Sequence, residues 1–124
     1  MIRELVAHIQ FLLESSSTAR RRSDPYKFYF LSNIALHEII RLKYVLDGNI
    51  EYNYNPPNSA VDSSLSSTME LSKSALHMKR LINFFLEQLD KTSKTDRFMA
   101  VTAHKFCQLL LQRDSILDQT ESNE

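Results

Sequence analysis

SDPYKFYFLSNIALHEIIRLKYVLDG, residues 23–48, is the stretch that decides the fold. Asp24 is a strong helix N-cap, and Pro25 follows at the first helical position, where a missing N–H costs nothing. Gly48 stands where a helix stops, since glycine enters a left-handed turn without penalty. Between them Phe28, Leu31, Ile34, Ala35, Leu42, Val45 and Leu46 recur on one face at helical spacing, with Ile39 near its edge. The stretch therefore predicts a helix from Pro25 to about Asp47.

Gly48 is also the only glycine in 124 residues, beside three prolines. A strand-rich chain needs a turn every 8 to 12 residues or so, and such turns lean on Gly, Asn and Asp. Long helices are the alternative. Upstream, Ile2, Leu5, Val6, Ile9, Leu12, Leu13 and Ser16 predict a helix from Ile2 to Arg21. Downstream, two prolines and four asparagines in GNIEYNYNPPN, residues 48–58, forbid a regular helix. Ser59 with Asp62 resembles a capping box, and the third helix is read from there to about Lys91. Its inner face holds Leu71, Ala75, Met78, Ile82, Phe85 and Leu89. Asp96 caps a fourth helix from Arg97 to about Gln119, with Met99, Ala103, Phe106, Cys107, Leu110 and Leu117 inward. The expectation is an all-α up-down four-helix bundle, or three long helices plus a shorter one. Residues 1–119 form one domain and 120–124 a disordered acidic tail.

Composition narrows the functional classes. Fifteen basic residues balance fifteen acidic ones, so no global field steers the chain onto nucleic acid or membrane. Charge is locally uneven. Six basic residues (Arg20, Arg21, Arg22, Lys27, Arg41 and Lys43) face only Asp24 and Glu38, while Asp114, Asp118, Glu121 and Glu124 follow with no base after Arg113. A basic middle and an acidic end attract each other, within one chain or between copies. The lone Cys107 excludes an internal disulfide and a cysteine-rich metal site, and a reducing, cytoplasmic setting is the expectation. MIRELVAHIQFLLE carries charges at positions 3 and 4 and does not read as a signal peptide, and no apolar run reaches the roughly 18 residues of a membrane span.

Two basic features offer chemistry. In STARRRSDPYKFYF, residues 17–30, Arg20, Arg21, Arg22 and Lys27 are candidate phosphate or nucleic-acid contacts, with Tyr26 or Tyr29 to stack on bases. The same arginines also suit the carbonyl end of a helix, where each cation stabilises by about 0.3–1 kcal/mol. Tyr26, Tyr29 and Phe30 are read as lying off the inner face. Glu38 sits in the middle of an apolar stripe, where a carboxylate needs a partner, and Arg41 at i+3 is the one at hand. His8, His37, His77 and His104 fall one per helix with no metal-binding spacing; His77 is read as opposite its helix's inner stripe. No metal and no cofactor is expected.

RFMAVTAH, residues 97–104, resembles the Arg-then-His motif of the HEPN ribonuclease superfamily, set near the start of a late helix in a small bundle. The resemblance implies that Arg97 holds phosphate and His104 carries acid–base chemistry at a dimer interface. The family usually has a polar residue directly after the arginine, and this chain has Phe98.

Apolar residues off the inner stripes outnumber those two features. Phe11, Phe98, Leu109 and Ile116 belong to this surplus, with Phe30, Leu36, Ile40, Tyr44, Leu76 and Phe84 on helices 2 and 3 as the expected partner-binding face. The functional expectation is a non-enzymatic bundle acting through protein–protein contact, an adaptor, small chaperone, inhibitor or assembly subunit, and self-associating. The alternative is a nucleic-acid-binding or RNA-cleaving bundle.

Overall fold

In the computed structural model the described residues are 2–48, 74–94 and 96–122, with side chains described through Asp114. Four helices account for nearly all of them: α1 (Ile2–Arg21), α2 (Pro25–Leu46), α3 (Ser74–Thr92) and α4 (Arg97–Ser122). No strand occurs among the described residues. The start of the third helix expected at Ser59, and the loop 49–58 before it, lie outside the described residues. Helix α4 continues three residues past Gln119 into the stretch read as a tail.

The starts of α2 and α4 and the ends of α1 and α2 have local causes. Asp24 accepts a hydrogen bond from the Lys27 amide at 3.0 Å, and Pro25 opens α2. Asp96 does the same for Met99 at 3.1 Å at the start of α4. Such a cap contributes about 1 kcal/mol. The C-terminus of α1 closes in a double-bonded turn: Asp24 N–H reaches the Ala19 carbonyl at 3.1 Å and Ser23 N–H reaches Arg20 at 3.0 Å. Ser23 takes φ +55° there, a conformation that glycine enters more readily by about 1 kcal/mol. Gly48 holds the equivalent place after α2, at φ +82°.

The helices pack in a closed ring. α1 lies against α2 and α4, α3 lies against α2 and α4, and α1 touches α3 across the middle. The core is one cluster centred on Phe28, Ile9, Leu13, Ile39, Leu42, Met78, Leu81, Ile82, Phe85 and Leu89, with Ala103, Cys107 and Leu110 of α4. Burial pushes the Cys107 thiol up to about 12, and it packs in the core as a small apolar filler.

The directions of the helices correct the simple up-down order. Arg3 near the start of α1 pairs with Asp96 at the start of α4 (2.6 Å), and Ser17 near the end of α1 bonds Asp114 far along α4 (2.8 Å). These two helices are therefore parallel. So are α2 and α3: Phe28 meets His77 near their starts, and Asp47 meets Lys91 near their ends. The order is up, down, down, up. A strict up-down bundle needs short links throughout, and only the α1–α2 and α3–α4 links are short. The 27 residues between Leu46 and Ser74 can extend well past the roughly 33 Å length of α2, so a parallel return is allowed.

Candidate interaction surface

The basic corner between α1 and α2 is divided by the fold. Arg20 is only 5% exposed, and its Nε donates a 2.8 Å hydrogen bond to the Ser74 hydroxyl of α3. It is a structural side chain, which corrects its reading as a phosphate contact. Its position explains why: three residues after the buried Ser17, it stays on the inner face of α1 while Arg21 and Arg22 turn to solvent. Tyr29 is likewise buried at 2%, edge-on to Phe28 with ring centroids 4.9 Å apart, and cannot stack on a base. Arg21, Arg22 and Lys27 remain outside, and the last two border a cleft of about 430 Å³ with Phe11 and Leu31. Tyr26 and Phe30 stack on each other beyond it, at 6.3 Å.

Glu38 lies in the groove between α1 and α2. Its carboxylate sits 3.6 Å from His8 Nδ1 and 3.8 Å from Arg41, so the i+3 partner is joined by one from α1 that the sequence does not point to. The three side chains border a cleft of about 330 Å³ with Glu4 and Leu5. Ion pairs this exposed contribute little to stability.

The expected partner face on α2 and α3 is mostly filled by the fold. Ile40 is 1% exposed, and Leu36 and Phe84 pack against the core. Tyr44 is half-buried; only Phe30 and Leu76 stand out, at 56% and 49%. The correction is geometric. α2 has neighbours on two sides, so it buries a wider arc than its single stripe, and Ile40 and Tyr29 fall within that arc.

His77 is the other departure. It is buried on the α2-facing side of α3, not opposite the stripe, with Phe28 6.0 Å and Tyr29 5.5 Å away between ring centroids. Its Nε2 has no hydrogen-bond partner. Burial, and secondarily the Arg80 charge one turn on, holds its pKa below the ordinary value. Arg20, bonded to Ser74 one turn before it, brings a second guanidinium to the same end of the bundle. A group whose pKa is lowered on folding must release or refuse a proton, so stability is complete above the unfolded value near 6.5 and declines as pH falls below it. Urea midpoints should therefore drop between pH 7.5 and pH 5, and the drop should shrink in His77→Phe. An equal drop in both proteins would remove His77 as its source.

Besides Phe11, Tyr26, Phe30 and Leu76, the fold leaves an aligned set of apolar side chains open on α4. Phe98 is 81% exposed, Leu109 63% and Val101 55%. With Lys105 they recur at intervals of three, four and four residues, one outward stripe about three turns and 16 Å long. Beside the N-terminal half of this stripe α1 and α4 form a shallow cleft of about 220 Å³. Val6, Ala7 and Ala103 line it together with Arg3, Phe98 and Thr102. Residues 97–113 contain no Asp or Glu. His104 and Arg113 meet acids of neighbouring helices, Asp90 at 3.5 Å and Glu14 at 3.2 Å, whereas Arg97 and Lys105 form no ion pair among the described residues. The long acid-free run was the sequence signal for this face, visible beside the apolar surplus but not read from it.

Arg97 and His104 stand seven residues apart on α4, and His104 points to Asp90 of α3. Among the described residues no group of His, Cys, Asp and Glu is placed to hold a metal, and no helix is long and apolar enough to cross a membrane. Comparison with protein-family models, with curated proteins and with solved structures finds no match for this chain.

Proposed function

We propose that this chain is a non-enzymatic helical-bundle module that acts through protein–protein contact, and that the contact is made by the outer face of α4. The single observation that carries this is the Phe98–Val101–Leu109 stripe. Three large or branched apolar side chains, each more than half exposed, lie in line on one face of a helix whose other face is core. Scattered exposed apolar residues are ordinary, whereas three aligned on one helix face, with only Lys105 between them, support contact with another protein. The core does not need these side chains, since Cys107, Ala103 and Leu110 already line it from α4.

The reading is tested by affinity capture with the wild-type chain and with Phe98→Ala/Leu109→Ala. At least one protein retained by the wild type in near-equal amount should be lost with the double variant, while the thermal melts coincide. Identical captured sets, or none from either chain, would overturn the proposal. So would RNA cleavage by the purified chain that disappears in His104→Ala, because that outcome belongs to the Arg97/His104 alternative.

A further inference from the structure

Resting on that reading, we infer that the α4 stripe takes an acidic amphipathic helix of another protein. The apolar part of the argument is periodic. Phe98, Val101, Lys105 and Leu109 present about three turns of surface at the spacing with which one helix lies along another. The cleft beside Phe98, with the small side chains Ala7 and Ala103, gives an apolar anchor a place to enter at one end of that path. The docked segment thus needs apolar residues at i, i+3 or i+4, and i+7, over about eleven residues.

The charged part selects the partner's sign. Apart from the buried Cys107, every ionisable residue from position 97 to 113 is arginine, lysine or histidine. Arg97 lies at the start of the stripe and Lys105 in its middle, both exposed and neither paired within the described residues. A helix carrying Glu or Asp on the flanks of its apolar face meets both, whereas a basic helix meets repulsion.

The same residues argue against a second copy as the occupant. Paired in parallel, two α4 stripes set Lys105 beside Lys105 and Arg97 beside Arg97. Paired antiparallel about the middle of the stripe, near residues 103–104, they still bring the two Lys105 side chains within a turn of each other. Like charges at that spacing disfavour the pair in either sense.

The experiment uses the full chain, labelled with nitrogen-15, and a synthetic sixteen-residue peptide. The peptide has leucine at i, i+3, i+7 and i+11 and glutamate on the flanks, and its twin has lysine in place of each glutamate. The glutamate peptide should shift the amides of Phe98, Val101, Lys105 and Leu109 saturably. Phe98→Ala and Lys105→Glu should each weaken it roughly tenfold or more. Added salt should weaken it too, and the lysine peptide should not bind. Equal binding of both peptides would keep the face and overturn the charge argument. Shifts confined to another surface would overturn the inference, as would a dimer in solution whose interface protects Phe98. Sedimentation with phosphatidylserine vesicles that Phe98→Ala abolishes would assign the face to lipid instead and overturn it. No binding of either peptide, alongside captured proteins that depend on Phe98 and Leu109, would reject the acidic helix while leaving protein contact standing.

Discussion

Phe28→Ala is expected to lower the stability of the chain by about 3–5 kcal/mol, the largest effect of any single substitution considered for it. Phe28 has no exposed surface, is among the bulkiest side chains in the core, and sits edge-on to both Tyr29 and His77. Truncation removes its transfer free energy and leaves a void between α2 and α3 that helices held from both sides cannot fill by collapse. With an unfolding entropy of roughly 2 cal/mol/K per residue, a loss of this size moves the melting temperature down by about 10–20 °C. Phe98→Ala is the control. Its ring is 81% exposed, and its removal should stay within about 0.5 kcal/mol. Thermal and urea unfolding followed by circular dichroism would measure both. A loss below about 1 kcal/mol for Phe28→Ala, or a Phe98→Ala loss of comparable size, would show that the core is not centred where the structure puts it.

Ser17→Ala is expected to cost about 2–3 kcal/mol, far more than an exposed serine, because its hydroxyl is the relay of a buried polar node between α1 and α4. The hydroxyl donates to Asp114 Oδ1 at 2.8 Å and accepts from Arg113 at 3.2 Å, while Arg113 also reaches Glu14 at 3.2 Å. Asp114 is 6% exposed and its second oxygen has no hydrogen-bond partner. Without Ser17 the carboxylate is left buried with no hydrogen bond of those described, and a charge in that position is costly. Removing the charge as well should restore most of the loss, so Ser17→Ala/Asp114→Leu is expected to be more stable than Ser17→Ala alone. Urea titrations at neutral pH give all three values. A double variant no better than the single, or a Ser17→Ala change under 0.5 kcal/mol, would mean that the node is solvated and contributes little.

These two sites also show where the sequence was readable. Phe28 belongs to the stripe that Asp24, Pro25 and Gly48 frame, so its burial followed from spacing alone. Ser17 and Asp114 carry no such signal, since they lie ninety-seven residues apart and meet only because α1 and α4 run side by side in the same direction. Arg20 and His77 were misplaced for the same reason. Both residues lie on helices where apolar periodicity expects them, the start of the third helix lying outside the described residues, but the sector of each that meets a second neighbour cannot be derived from a period of 3.6 residues.

The candidate surface divides in the same way. The surplus of apolar residues and the absence of acid from 97 to 113 are written in the sequence, and together they announce a sticky, positively bordered helix. Which surplus residues remain outside was decided by packing. α2 and α3 each lie between two neighbours, so Ile40, Leu36 and Phe84 turned inward or against the core. α4 also has two neighbours, yet its inner arc is satisfied by Ala100, Ala103, Cys107 and Leu110, and Phe98, Val101 and Leu109 are left on its outer side.

The sequence by itself determined the helices, because caps, proline, glycine and apolar periodicity act within a few residues of each other. Only the tertiary structure decided their directions, the buried polar node and the face left open. Those depend on which surfaces meet across the bundle, and that is a property of the whole packing arrangement and of no single segment.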